Sequence, residues 1–285
     1  MDHSDITKRL EKIDDLPTLP AIAMEVNKML EDYDVSIRDL SNKIEKDQSI
    51  ASKILKLVNS AFFGLSTKVS NIPHAMTLLG FNTVRNAVVS VSIIKSFKDK
   101  NNPGDFSMKD FWRHSVGVAV TSRHLSHILK IGVPDDCFIG GLLHDMGKLV
   151  IAQHFPDLFT TALNASSDNN ISFYQAEKQN NPTDHARVGG YLAKKWRLPL
   201  GLSDAIKYHH LMSKNAQDVD LLSVVYSADL IYNNHQYGTK IDSDLPVNMS
   251  NRSRVLCCIG TKEEWFPPVN KEIEEACKFF LEDLD

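Results

Sequence analysis

The sequence predicts an all-α protein with a helical core and an N-terminal helical bundle. Apolar residues recur at three- and four-residue spacing along most of the chain, as at Ile50, Ile54 and Leu57. Few segments alternate apolar and polar residues with period two, so strands are not expected to dominate. Helix-start residues precede the periodic segments, and Ser36 with Asp39 three residues later indicates a capping box.

Five helices are predicted before residue 98. The first opens with the prolines of LPTLP, because a helix tolerates proline only in its first turn. The third is expected to bury Ile50, Ile54, Leu57 and either Phe62 or Phe63, and to stop at Gly64. The fourth and fifth are separated by Gly80 and Phe81, with Asn82 as the expected cap. The predicted helices cover 16–30, 36–46, 49–63, 72–79 and 82–97.

A polar segment at 95–107 contains Asn-Asn-Pro-Gly and is the best candidate boundary between subdomains. We expect an N-terminal bundle over 1–100, a helical core over 101–240 and a C-terminal extension over 241–285 that packs on the core. Later helices are predicted near 108–131, 135–154, 184–197, 199–210, 218–236 and 269–283.

Composition excludes several classes of protein. Hydrophobic residues make up 42% of the 285 residues, which is ordinary for a globular protein. A formal charge of −4 predicts no general attraction to nucleic acid or to an anionic membrane. The charged first residues predict no signal peptide, and no apolar run is long enough for a membrane span. The four cysteines lack zinc-type spacing, so we expect free thiols and a cytoplasmic location.

The segment GLLHDMGKL, at 141–149, carries the most specific chemical signal in the chain. It places His144 and Asp145 side by side in an apolar helical pattern, about 100° apart around the axis. A carboxylate buried there would be costly without a cation or strong hydrogen bonds, so the pair predicts a metal ion. Lys148 follows one turn after His144, where its ammonium could meet a phosphate oxygen.

Other histidines and one aspartate have similar apolar helical settings and complete a candidate ligand set. The candidate metal ligands are His114, His144, Asp145, His185, His209, His210 and Asp229. Imidazole and carboxylate ligands suit divalent iron, manganese, nickel or zinc. Seven candidates are more natural for two ions sharing the Asp145 carboxylate than for one. A two-metal site can activate water and hold a phosphoryl group from both sides.

Some other residues of the same types have plainer explanations. A lone helical histidine is more often a hydrogen-bonded residue than a ligand, and we assign that role to His3, His74, His124, His127, His154 and His235. Asp110, one turn before His114, could be an extra ligand, although a helix cap is the favoured interpretation. Glu177 could also approach the site, on weaker grounds.

The order His…His-Asp…Asp, carried by His114, His144, Asp145 and Asp229, resembles the signature of the HD superfamily of metal-dependent phosphohydrolases. The additional histidines resemble its binuclear branch, and the best resemblance is to the HDOD family, the HD-related output domain of bacterial signalling proteins. It extends over about 13–235 and implies an N-terminal helical bundle packed on an HD-type helical core. The segments that carry it are LPTLP (16–20), LVNSAFFG (57–64), AMTLLGFNTVRN (75–86), FWRHS (111–115), GLLHDMGKL (141–149), DHARVGGYLAKKW (184–196) and LPLGLSDAIKYHH (198–210).

The resemblance leads to two functional hypotheses. In the first, the protein is a phosphohydrolase of a nucleotide or another phosphoester, with Asp145 bridging two metals and Lys148 holding the phosphate. In the second, it is a non-catalytic signalling or scaffold module that binds metal and a protein or nucleotide partner. Because no Gly-Tyr-Pro follows His210, hydrolysis of cyclic-di-GMP by the HD-GYP route is not expected. No receiver or GGDEF sequence is present, so we expect a stand-alone module, and nothing favours a nucleic-acid binder.

Overall fold

The computed structural model describes residues 8–11, 13, 16, 20–29, 36–59, 67–97, 106–211, 216–237 and 252–281. These residues form fifteen helices of eight or more residues and no strand, so the all-α prediction is confirmed. The first helices are α1 (Ala21–Met29), α2 (Ile37–Glu45), α3 (Gln48–Val58), α4 (Ile72–Leu79), α5 (Phe81–Phe97), α6 (Met108–Leu129) and α7 (Pro134–Leu143). The others are α8 (Met146–His154), α9 (Pro156–Asn169), α10 (Phe173–Asn180), α11 (His185–Lys195), α12 (Leu200–Tyr208), α13 (Val219–Tyr237), α14 (Arg252–Gly260) and α15 (Lys262–Leu281). None of the helices in the described part of the chain combines the length and apolar character needed to cross a membrane.

Helices α2, α4 and α5 begin and end within one residue of the prediction, whereas α1 begins at Ala21 and not at 16, and α3 ends at Val58 and not at 63. The side chain of Ser36 accepts a hydrogen bond from the Asp39 backbone N–H at 3.1 Å and caps α2. The expected apolar stripe of α3 is buried at Ile50, Ile54 and Leu57, whereas Phe62, Phe63 and Gly64 lie outside the described residues. Asn82 does not cap α5, which already begins at Phe81.

Gly80 occupies the turn between α4 and α5, and this explains why Asn82 is not the cap. Its φ of 83° is a left-handed conformation that glycine adopts without a Cβ clash. The Gly80 carbonyl accepts a hydrogen bond from the Val84 backbone N–H at 3.4 Å, so the helical pattern starts one residue earlier than predicted.

One hydrophobic core runs through both the N-terminal helices and the later ones. Polar contacts also join them: Arg85 of α5 pairs with Asp136 of α7 at 2.9 Å. The Asn86 side-chain amide donates to the Asp135 backbone carbonyl at 2.9 Å. The predicted boundaries near 100 and 240 fall in 98–105 and 238–251, outside the described residues, so the division into subdomains stays a prediction.

The central helix of the fold is α6, which packs against α7, α13 and α15. On the other side of the core α8 packs against α11, and α11 packs against α12. Helices α9, α10 and α14 were not predicted. Helix α15 begins seven residues before the predicted 269. The prediction missed its first turns because Pro267 and Pro268 lie inside the helix, whereas prolines normally mark a helix start. These contacts bring α6, the α7–α8 junction, α11, the end of α12 and α13 together around one centre.

Candidate metal centre

His144 and Asp145 lie in a two-residue break between α7 and α8. The single helix predicted over 135–154 is therefore wrong at this point. Asp145 has φ −96° and ψ 2°, and its carbonyl accepts from the Lys148 N–H at 2.8 Å, which forms a tight i to i+3 turn. The break changes the direction of the chain between two buried polar residues, and both side chains face the centre.

The first ligand group comprises His114, His144 and Asp229, from α6, the break and α13. The Nε2 atoms of the two histidines lie 3.3 Å apart. Oδ1 of Asp229 lies 3.2 Å from Nε2 of His114 and 3.7 Å from Nε2 of His144. All three residues are buried, so their polar atoms face one another instead of solvent.

The second ligand group comprises Asp145, His185, His209 and His210. His185 is the first residue of α11, and the two adjacent histidines directly follow α12. Nε2 of His185 lies 3.0 Å from Oδ1 of Asp145, 3.2 Å from Nε2 of His209 and 3.0 Å from Nε2 of His210. The structure therefore brings all seven predicted ligands together, in two groups that lie on either side of one carboxylate.

The carboxylate between the two groups is that of Asp145. Its Oδ2 lies 3.4 Å from Nε2 of His144 and 3.7 Å from Nε2 of His114, in the first group. Its Oδ1 lies in the second group, 3.6 Å from Nε2 of His209. Each oxygen thus faces a different set of imidazoles, which is the arrangement expected of a bridging carboxylate.

Hydrogen bonds on the outer side of His144 and His209 determine which ring nitrogen faces inward. Nδ1 of His144 lies 2.6 Å from the Gly141 carbonyl, and Nδ1 of His209 lies 2.7 Å from the Ile206 carbonyl. A carbonyl only accepts, so each Nδ1 carries a proton, and the neutral form of each ring presents a bare Nε2 to the centre. Oδ1 of Asp145 is buried and, when Nε2 of His185 carries no proton, accepts no hydrogen bond from the described residues. Converging lone pairs and a buried, unsatisfied carboxylate oxygen fit divalent cations.

Glu177 orients His185 in the same way, although the sequence provided only weak grounds for placing Glu177 near the site. It is fully buried on α10, with Oε2 2.5 Å from Nδ1 of His185 and Oε1 3.1 Å from the His185 backbone N, which donates to it. It belongs to neither ligand group and instead orients a candidate ligand. The sequence signal that could have identified α10, which carries Glu177, is the capping box of Ser172 and Gln175 at its start.

Asn233 supports Asp229 on the opposite side of the centre. Its side-chain amide donates to Oδ1 of Asp229 at 2.8 Å, across one turn of α13. The sequence signal that could have identified Asn233 is its spacing of four residues from Asp229, because residues four apart lie on one face of a helix. Asn233 and Glu177 thus each orient one candidate ligand.

The electrostatics of the centre favour anionic carboxylates and a concentration of positive charge. Burial raises the pKa of Asp229, but the hydrogen bond from His114 and the nearby His144 outweigh it and lower that pKa to about 2. Burial lowers the pKa of His209 to about 4, so its ring is neutral at pH 7. Burial also lowers the pKa of His185, but the carboxylates of Glu177 and Asp145 outweigh burial and raise it to about 9. In the absence of a metal, a proton on His185 supplies the positive charge between them.

Lys148 lies at the edge of the centre, with Nζ 2.5 Å from Oδ2 of Asp145. Burial lowers the pKa of this ammonium, but Asp145 outweighs it and raises the pKa, so Lys148 is a cation at pH 7.

Asp110 is exposed in the first turn of α6, where Ser107 is the N-cap, so Asp110 neither caps the helix nor joins the centre. His3 lies outside the described residues, and the other histidines of the described chain join neither ligand group: His74, His124, His127, His154 and His235.

Close helix contacts at two glycines bring the ligands within reach. A Cβ added to Gly147 would collide with the backbone carbonyl of His185, so glycine lets α8 approach α11 there. A Cβ added to Gly141 would lie 2.7 Å from the Cα of Ala119, so glycine lets α7 approach α6. These contacts place the α7–α8 break against both α6 and α11.

Comparison with known proteins identifies the family and the fold. The chain belongs to the HDOD family, because the family profile of the HDOD domain matches residues 16–212. An uncharacterised protein of Treponema pallidum is 26% identical over 225 residues, which cover 77% of this chain and 42% of that protein. The chain spans less than half the length of the curated relatives that it matches.

Solved structures show the same fold. An HDOD domain protein of unknown function from Geobacter sulfurreducens superposes with a TM-score of 0.76 and 24% identity, covering 95% of this chain and 96% of that one. A protein from Shewanella amazonensis, described as a proposed phosphohydrolase, superposes with a TM-score of 0.71 and 22% identity, covering 97% of each chain. These identities support a shared fold and leave function to be argued from the site.

Proposed function

We propose that the protein is a metal-dependent phosphohydrolase that acts on a nucleotide or another phosphoester. The observation that carries the proposal is the position of Asp145, with one carboxylate oxygen in each of two ligand groups. Such a shared carboxylate suits a pair of divalent ions chosen from iron, manganese, nickel and zinc. The description of a Shewanella amazonensis protein of the same fold as a proposed phosphohydrolase adds support.

In this proposal His114, His144 and Asp229 hold one ion, and His185, His209 and His210 hold the other. A bound divalent ion supplies Lewis-acid activation of water and neutralises charge on a phosphoryl group. Asp145 touches both sites and stays anionic at pH 7, because, although burial raises its pKa, His144 and Lys148 hold it well below the usual range. Lys148 places a cation beside Asp145, from which its flexible stem can reach a phosphate oxygen.

The test is a phosphoester screen on metal-loaded protein, with the metal counted per chain by elemental analysis. We expect turnover of at least one phosphoester by the wild type and none by Asp145→Asn, since the amide offers one neutral oxygen in place of the two anionic oxygens that face the two ligand groups. Asp157→Asn, at an exposed position on α9, is the matched control and should keep full activity. Protein that carries its full metal content and turns over no phosphoester would contradict the proposal.

A second candidate function is a non-catalytic signalling module that binds a protein or nucleotide partner. The depth of the centre favours it, because His185 and His209 are no more than 1% exposed and a structural metal needs no substrate access. Replacing both His144 and Asp145 by alanine should then leave partner binding intact, provided that circular dichroism shows a folded chain. Loss of partner binding in a folded double variant would count against this function.

A further inference from the structure

A cavity of about 520 Å³ opens beside the second ligand group, between α10, α11 and the end of α12. Its volume falls in the range of about 300–1,000 Å³ that is usual for small-molecule sites. Of the seven candidate ligands, His210 is the one that lines this cavity. The metal centre and the cavity therefore share one side chain, and a molecule in the cavity would lie next to the second ligand group.

The described wall of the cavity has an excess of positive charge. Arg187, Lys194 and Lys207 line it, against one carboxylate, Asp184. That carboxylate is already engaged as the N-cap of α11, where it accepts from the Arg187 backbone N–H at 2.9 Å. Neither Lys194 nor Lys207 pairs with a carboxylate of the described residues. Two cationic groups are thus available for an anionic ligand.

Lys207 is held in place by neutral groups. Its Nζ donates to the Tyr208 hydroxyl at 2.8 Å. Its stem packs against α11 at Gly190, where an added Cβ would lie 2.7 Å from the Cβ of Lys207. These contacts orient the ammonium and leave its charge without an opposing carboxylate, as a phosphate-binding lysine requires.

Three tyrosines contribute aromatic rings to the wall. Tyr174, Tyr191 and Tyr208 all line the cavity. The Tyr174 ring stacks on His210, with ring centroids 4.2 Å apart and an interplanar angle of 24°. Tyr191 lies between Arg187 and Lys194 on one face of α11, at spacings of four and three residues. Aromatic faces beside cations are the surfaces on which flat bases stack.

We propose that this cavity binds a small organic phosphate that carries a flat aromatic ring, the chemistry of a mononucleotide. The phosphate lies by Lys207 and Lys194, and the ring lies against Tyr191. This names the ligand class of the site proposed above, and so rests on that proposed function.

The test is calorimetric binding of AMP, adenosine and inorganic phosphate to the metal-free full chain, in which turnover does not interfere. We expect AMP to bind more tightly than either fragment. The double variant Lys194→Ala/Lys207→Ala should weaken AMP binding by about tenfold or more, the effect of losing a charge-assisted contact. It should leave adenosine binding unchanged, whereas Tyr191→Ala should weaken both. Lys195→Ala is the matched control, since Lys195 is the next residue of α11, is exposed and does not line the cavity.

Phosphate binding as tight as AMP binding, or wild-type AMP affinity in the double lysine variant, overturns the inference. Hydrolysis of glycerol phosphate, which has no ring, by the metal-loaded protein tests the proposed function separately. AMP binding without any hydrolysis supports the ligand site and counts against the hydrolase. Hydrolysis without AMP binding overturns the ligand site alone.

Discussion

Replacing Glu177 by glutamine tests whether the candidate metal centre depends on the orientation of His185. The carboxylate accepts two hydrogen bonds from His185, from Nδ1 at 2.5 Å and from the backbone N–H at 3.1 Å. A glutamine has one oxygen, so one of the two buried donors then faces an NH₂ group. A buried donor without an acceptor costs about 1–3 kcal/mol. The alternative ring tautomer would restore that hydrogen bond, but it would protonate Nε2 and remove a metal ligand.

Either outcome should weaken metal binding by about 10- to 100-fold, the usual effect of losing a residue that orients a metal ligand. The assay is competition for zinc or manganese against a chelating dye, with circular dichroism to show that the variant is folded. Glu263→Gln removes the same charge from a side chain that is 91% exposed, and should bind metal like the wild type. Equal affinities for Glu177→Gln and Glu263→Gln would refute the assignment of Glu177 as a positioning residue.

Three further predictions concern packing, pH and thiol chemistry. Gly147→Ala should destabilise the fold by about 1–3 kcal/mol in urea unfolding, because its Cβ meets the backbone of α11. Gly260→Ala, whose Cβ meets nothing within 4 Å, should be neutral or stabilising. Metal affinity should rise with pH towards about 9, since a metal must displace the proton of His185, whose pKa is raised to about 9; an affinity unchanged from acid to alkaline pH would contradict this. Burial raises the pKa of the Cys137 thiol to about 12, so Ellman's reagent should label the exposed Cys257 in native protein and Cys137 only after unfolding.

The composition of the candidate metal centre was predictable because ionisable residues in apolar helical segments are rare and costly. His144, Asp145 and Asp229 stand out in that way, and the structure places them with the other four candidates. Glu177 did not stand out, since α10 is short and polar and its role depends on a contact across eight residues. Its function depends on which side of α10 is buried, and local sequence does not determine that.

The break at the HD doublet shows a second limit of the sequence. The apolar pattern continues across His144 and Asp145, so periodicity predicts one helix where the structure has two. Side-chain spacing does not report a backbone angle, and the tight turn at Asp145 is imposed by the packing of α7 on α6 and of α8 on α11. Helix α15 is a related case, because Pro267 and Pro268 lie inside a helix that packing maintains.

The sequence alone therefore determined the all-α class, the family resemblance and the seven residues that converge, because each depends on residue type and local spacing. Tertiary structure decided how they converge. It turned the two oxygens of Asp145 towards different ligand groups, enclosed Glu177 behind His185 and opened a cationic cavity beside His210. Those features depend on how closely helices distant in sequence approach one another. That approach is determined by contacts such as Gly147 against His185, which involve two helices at once.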